Sequence, residues 1–299
     1  MAKLALIGGV NGQVGRALAA LDHPDLRITL HGRPEVDLAQ QESLDAFVAA
    51  AKPEIVINCG AYTAVDLAET EAAAAYAINA EGPARLAAAC AKVGIPFIHL
   101  STDYVFDGTK TAPYVETDAT SPQNVYGRTK LAGEAAVAAS GARHVILRTS
   151  WVHAPEGKNF VRTMLRLATT RDRIGVVADQ IGRPTYAPHL AIAIRAMAIR
   201  LLDDTDAPQG VFHLGGAGEP ASWYDFADAV FSASRAIGGP SCLTDPLPTS
   251  AYPTPARRPS NSVMDCAKIA NSYGLALPSW KLGVEECVRE IAASGWPAA

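Results

Sequence analysis

Two residues one helical turn apart carry the first chemical signal. Tyr126 and Lys130 stand at i and i+4, so on a helix they share one face. A phenol has a pKa of about 10, and an ammonium beside it stabilises the phenolate and lowers that value. A tyrosine tuned in this way can give a proton to a carbonyl oxygen as hydride arrives at carbon. Upstream, Ser101-Thr102-Asp103-Tyr104 offers a hydroxyl, Thr102, that can hydrogen-bond the same oxygen and fix its position. Taken alone, Tyr-x-x-x-Lys is a weak signal, because a tyrosine on an amphipathic helix can simply pack its ring. Its weight comes from the motifs around it.

The apolar run 4–7 leads into Gly9-Val10-Asn11-Gly12-Gln13-Val14-Gly15, a G-x-x-G-x-x-G loop. Glycines let the backbone turn tightly and let a pyrophosphate approach its amides. The start of the following helix then offers free N–H groups and a positive dipole end. The end of the second strand chooses between the nicotinamide cofactors. An acidic residue about 20 positions on would hold the ribose 2′-hydroxyl of NADH, and a basic one suits a 2′-phosphate. Here the chain reads His31-Gly32-Arg33, with no carboxylate until Glu35. That favours NADPH, through Arg33. The bland alternative for Arg33 is a solvated loop charge.

The elements that must position these residues follow from the hydrophobic pattern. Strands are predicted over 4–7, 26–30, 54–58, 95–100 and 145–148. Helices are predicted over 14–21, 43–51 with Ser43 as cap, 69–93 with a break near Gly82-Pro83, and 122–140 with Ser121 as cap. Continuous apolar strands separated by helices imply a parallel sheet covered on both faces. Residues 1–150 therefore read as a doubly wound α/β domain. Ser101–Tyr104 falls just past a strand's carboxyl end, where open α/β sheets bind ligands. After Ser150, Pro and Gly become denser, with helices predicted over 159–170, 189–202, 222–236 and 284–293. Residues 151–299 read as a smaller lobe for substrate, with about 185–205 packing back on the first domain.

Composition narrows the function classes. The chain has 299 residues, 49% of them hydrophobic, and a net charge of -4. That is ample for a packed core and argues against disorder. The charge and the lack of a basic cluster argue against nucleic acid as a partner. No apolar run approaches the ~20 residues of a membrane-spanning helix, and the start reads as strand and loop rather than a secretory leader. Five scattered cysteines (Cys59, Cys90, Cys242, Cys266 and Cys287) form neither a disulfide framework nor a zinc motif. A reduced cytoplasmic protein is expected. No carboxylate cluster calls for a metal.

The chain resembles the extended short-chain dehydrogenase/reductase family. The resemblance spans nearly its whole length. It rests on GVNGQVGRAL, NCGAYTAVDLAE, STDYVFDGT, SPQNVYGRTKLAGE, RTSWVHA, NFVRTMLRLA, DQIGRPT, SWYDFA and PTSAYPTPARRPSNS. It implies a Rossmann-type fold with a C-terminal substrate-binding lobe, and NAD(P)H-dependent reduction of the C4 ketone of a deoxythymidine-diphosphate sugar. It carries over Thr102, Tyr126 and Lys130 as the catalytic set, with Tyr126 as proton donor and Lys130 also on the nicotinamide ribose. Gly12, Gln13 and Val14, flanked by Gly9, Asn11 and Gly15, match the pyrophosphate loop. Asp37 and Leu38 match the adenine-side pair. Ala61, Tyr62 and Thr63 match a cofactor-contacting segment. Asp103 and Trp151 match sugar-nucleotide contacts, Tyr104 belongs to the same stretch, and Arg258 sits where it could meet a diphosphate. Some family members bind Mg2+ at a dimer contact, so Mg2+ and either a monomer or a homodimer stay open.

Three other readings remain beside the reductase. A sugar 4,6-dehydratase calls for an Asp-Glu pair after the threonine, and here Asp103 is followed by Tyr104. An epimerase must rotate a keto intermediate. A regulatory subunit resembling that of methionine adenosyltransferase would bind a dinucleotide without chemistry and would not need Thr102, Tyr126 and Lys130 together.

Overall fold

The computed structural model describes residues 2–9, 11–21 and 26–298, apart from the side chains of Leu6 and Gln41. Val10 of the glycine loop lies outside the described residues. Strands β1 (Ala2–Ile7), β2 (Leu26–His31), β3 (Ile55–Asn58), β4 (Phe97–Thr102) and β5 (His144–Thr149) pair in parallel, and the later strand Gly210–His213 joins them beside β5. The sheet order is Gly210–His213, β5, β4, β3, β1, β2. The mixed α/β class with a parallel central sheet is the one the strand pattern predicts.

Alternation along the strands divides the core into two layers. Ile55, Ile57, Val145 and Leu147 face one side, while Val56 and Ile146 face the other. The helices α1 (Gln13–Ala19), α2 (Gln41–Ala51), α3 (Ala72–Tyr76), α4 (Gly82–Val93) and α5 (Val125–Ala139) connect the strands. α2, α4 and α5 cover the Val56 face through Leu44, Phe47, Leu86, Cys90 and Val137. α1 covers the other face together with two later elements, α7 (Ala187–Asp203) and α9 (Ala267–Tyr273). The second half of the chain thus returns both a strand and two helices to the first layer. The remaining helices, α6 (Phe160–Leu167), α8 (Trp223–Ala236) and α10 (Trp280–Ser294), pack around Phe226, Phe231, Trp280 and Val288 as a separate apolar cluster. Among the described residues no helix is long and apolar enough to cross a membrane.

Several helix starts differ from the pattern's expectation. α5 begins at Val125 rather than at Pro122, because Asn124 is its cap and accepts a hydrogen bond from the Gly127 N–H at 2.8 Å. Ser121 does not cap it. Ser43 lies inside α2, where its hydroxyl accepts instead from the Asp37 N–H at 2.9 Å. The long alanine-rich stretch is broken not by Gly82-Pro83 alone but by the π-helical turn Ala77–Glu81 just before it.

α7 packs the second half of the chain against α1, and Ile194 lies fully buried in the layer the two helices share. Ile194→Ala should lower unfolding stability by about 2–5 kcal/mol, the range for a buried aliphatic truncated to alanine. Urea titration checks this, and a loss below about 1 kcal/mol would mean that the α7 contact is not part of the core.

Candidate active site

The glycine loop turns where β1 ends. Gly8 and Gly9 both have φ of +66°, a left-handed backbone that favours glycine. A Cβ on Gly8 would lie 2.4 Å from the Gly60 Cα, and one on Gly15 would lie 2.2 Å from the Gly9 oxygen. The Gly12 N–H donates to that oxygen at 2.7 Å, and Gly12 is the N-terminal cap of α1. Only glycine lets this loop fold down onto the segment after β3. Asn11 is exposed beside Arg16. The Gln13 amide donates to the Val152 carbonyl at 3.2 Å and leaves its own oxygen buried without a partner. A cradle of closely packed glycine backbone fits the close approach of a dinucleotide's pyrophosphate end.

The other predicted cofactor residues are spread along the same end of the sheet. Arg33 is exposed in the turn after β2. The Asp37 carboxylate accepts from the Ala39 N–H at 2.9 Å and shapes its own turn. Leu38 is buried, its side chain against Gly60 and its backbone against Gly82. Ala61, Tyr62 and Thr63 follow β3, and Tyr62 donates its hydroxyl to Glu71 at 2.7 Å. Asn79, to which the sequence reading gave no role, holds this segment. Its side chain accepts from the Tyr62 N–H at 2.7 Å and donates to the Tyr62 carbonyl at 3.1 Å and the Thr129 hydroxyl at 3.0 Å. The clue was a lone amide in an alanine-rich run, which the π-helical turn aims inward.

The chemical groups meet where β4 ends. Thr102 is its last residue, and its hydroxyl donates to the Asp103 carboxylate at 2.9 Å. Asp103 is 2% exposed, and burial pushes its carboxyl up to about 6 against hydrogen bonds from Thr102, Ser262 and backbone amides. Tyr126 lies in the first turn of α5, with its ring edge-on to Tyr104 at 5.6 Å. Burial raises the Tyr126 phenol above its usual value, and a hydrogen bond with Thr102 works the other way. This differs from the sequence expectation that Lys130 lowers it. Lys130 is buried and turns its nitrogen to the Leu100 carbonyl at 2.6 Å and to His99 Nε2 at 3.3 Å, so that nitrogen is engaged at β4. Burial pushes the Lys130 amine down to about 8, with Glu134 opposing.

Arg258 reaches this cluster from the second half of the chain. It donates to the Tyr104 hydroxyl at 3.0 Å and to the Asp66 carboxylate at 2.8 Å. Arg258 also lines a cavity of about 620 Å³ with Phe160, Met164, Gln180, Trp223 and Tyr252. Trp151 follows β5 at φ +49° and stacks on Trp223 at 3.7 Å, nearly parallel. Gly182 is required beside it, since a Cβ there would lie 2.6 Å from the indole. Thr102, Asp103, Tyr104, Tyr126 and Arg258 are thus joined by direct contacts, with Lys130 one turn along α5. Asp66 and Trp223 belong to this group, although the sequence reading did not single them out. Among the described residues no cluster of three His, Cys, Asp or Glu side chains could hold a metal.

Comparison with known proteins agrees along almost the entire chain. The family model for the RmlD substrate binding domain matches residues 3–293. A dTDP-4-dehydrorhamnose reductase of Sinorhizobium fredii is 47% identical over 97% of this chain and 98% of its own length. The protein of that name from Escherichia coli K12 is 44% identical over 96% and 97%. The crystal structure of dTDP-4-dehydrorhamnose reductase from Bacillus anthracis in complex with NADP superposes with a TM-score of 0.89 at 35% identity, covering 97% of this chain and all of that one.

The buried Asp103 carboxyl gives this site a pH signature. Its folded pKa lies above its unfolded one, so the fold favours the protonated acid. That contribution is present below about pH 4 and is lost as pH rises through about 6. Asp103→Asn mimics the protonated form at every pH. Its stability relative to the parent should therefore rise by roughly 2–3 kcal/mol between pH 4 and pH 7. A difference that stays flat across that range in paired denaturant titrations would show that Asp103 ionises freely.

Proposed function

The chain belongs to the dTDP-4-dehydrorhamnose reductase family, and from that premise we propose that it reduces the C4 ketone of dTDP-4-dehydro-L-rhamnose to dTDP-L-rhamnose with NADPH. The observation that carries this reading is the edge-on contact of Tyr126 with Tyr104, whose backbone N–H donates to Thr102 at the carboxyl end of β4, with Lys130 one turn along the helix of Tyr126. A bound nicotinamide supplies the hydride. Tyr126, which burial keeps a protonated phenol, supplies the proton to the C4 oxygen, and the ammonium of Lys130 turned toward it stabilises the phenolate left behind. Thr102 donates its one hydroxyl proton to the Asp103 carboxylate in the free protein, and turns that proton to the C4 oxygen when the ketone is bound, holding it in place.

The binding roles divide between the two halves of the chain. Gly9, Asn11, Gly12, Gln13, Val14 and Gly15 hold the pyrophosphate, and Arg33 reads the 2′-phosphate. Asp37 and Leu38 lie on the adenine side, and Ala61–Thr63 line the dinucleotide. Lys130 serves the ribose and Tyr126. Asp103, Tyr104, Trp151 and Arg258 face the sugar nucleotide, with residues 151–299 mainly forming the lobe that closes over it.

Tyr126→Phe should lower the rate of NADPH oxidation with the keto sugar by about 10²–10⁴-fold, the usual worth of a general acid. Activity within a few-fold of the parent would remove Tyr126 from that role. Arg33→Ala should raise the KM for NADPH and leave that for NADH nearly unchanged. Equal effects on both would discard Arg33 as the reader of the 2′-phosphate.

A further inference from the structure

His99 lies on β4, fully buried, outside the motifs assigned above. Both of its ring nitrogens are engaged. Asn58 at the end of β3 places its side-chain nitrogen 3.1 Å from His99 Nδ1, and His99 Nε2 lies 3.3 Å from Lys130 Nζ. The direction of this chain is set at its far end. The Gly60 backbone N–H donates to Asn58 Oδ1 at 3.0 Å. A backbone N–H can only donate, so the amide must turn its NH2 group to the imidazole. That group also only donates. His99 Nδ1 is therefore the acceptor, and the ring proton sits on Nε2, pointing at Lys130. An ammonium has no lone pair to receive it, whereas a neutral amine does, and a neutral amine can still donate to the Leu100 carbonyl.

We propose that Asn58 and His99 form a positioning relay that parks Lys130 as a neutral amine against the Leu100 carbonyl, so that gaining a proton releases Lys130 toward Tyr126. The relay rests on the reductase reading, in which Lys130 serves Tyr126 and the ribose. The electrostatics run in the same direction. Burial holds the His99 imidazole well below its usual value, so it stays neutral, and lowers the Lys130 amine as well. Besides His99 from β4, Lys130 faces Glu134 from its own helix and Cys59 from the segment after β3. Cys59 is kept a neutral thiol by burial. Glu134 favours the ammonium but is itself paired with Arg148 from β5. The His99 donor and burial thus oppose Glu134, and Lys130 is balanced between its two charge states.

Nitrogen-15 NMR of the full-length protein labelled at histidine reads the relay without any activity. The expected result is His99 with its proton on Nε2 and no titration from about pH 5 to pH 9. A proton on Nδ1, or an imidazolium in that range, would overturn the relay. Kinetics supply the second arm. His99→Leu removes a donor that stabilises the neutral amine, so the alkaline limb of the kcat profile should move up by about one pH unit, the worth of one hydrogen bond. Asn58→Asp reverses the tautomer, because a carboxylate must accept from Nδ1–H, and should move the limb the same way. A folded His99→Leu protein with an unmoved limb would refute the relay. If His99→Leu does not fold, Asn58→Asp and the tautomer decide. If the unaltered protein oxidises no NADPH with the keto sugar, the reductase reading fails, and the tautomer measurement still decides the relay.

Discussion

A buried ion pair holds the helix that carries Tyr126 and Lys130 over the strand that carries Thr102. Glu134 of α5 accepts from Arg148 of β5 at 2.9 and 2.6 Å and from the Ser101 hydroxyl of β4. Both charged side chains are 5% exposed. Such a pair contributes little net stability against an apolar replacement, but a single unpaired member would be a costly buried charge. Its worth is geometric. It ties one helix and two strands at a fixed height, so the first turn of α5 must sit above the end of β4. Asn124 then sets where that turn begins, and Asn79 ties the segment after β3 to the same helix. Thr102, Tyr126 and Lys130 are placed by polar contacts buried inside an otherwise apolar layer.

The two halves of the chain cooperate through the same layer. The strand Gly210–His213 extends the sheet beside β5, and α7 covers the face that α1 begins. Arg258 then crosses from the second half to Tyr104 and Asp66. The cavity edged by Trp223, Tyr252 and Arg258 therefore opens beside Tyr104, which leans on Tyr126. The cavity thus presents an aromatic wall followed by a guanidinium. The chain's near-neutral charge is compatible with an anionic ligand, because one placed arginine and a glycine loop act locally.

Local signals in the sequence announced much of this. Strand periodicity gave the parallel sheet, and the glycine spacing gave the turn that Gly8, Gly9 and Gly15 make possible. Tyr126 and Lys130 read correctly as neighbours on one helix. What spacing could not reveal was where the Lys130 nitrogen points. That depends on the Leu100 carbonyl and on His99, which belong to a strand about 30 residues away in sequence. Asp66, Asn79 and Trp223 were missed for the same reason. Each acquires its role only from a partner across the fold: Arg258, Tyr62 with Thr129, and Trp151 respectively. The start of α5 was misplaced because Ser121-Pro122 and Asn124 both carry capping signals, and tertiary contact chose the second. Asn124 also donates to the Arg257 carbonyl, a contact no local rule contains.

The account stands on carbonyl reduction at a sugar C4 by the groups around Thr102 and Tyr126. Its most direct test is product analysis by NMR after incubating the protein with freshly made dTDP-4-dehydro-L-rhamnose and NADPH deuterated at the transferable position. The account predicts dTDP-L-rhamnose carrying one deuterium, at C4. Recovery of unreduced keto sugar with the deuterated cofactor intact, or deuterium at any other carbon, would contradict it.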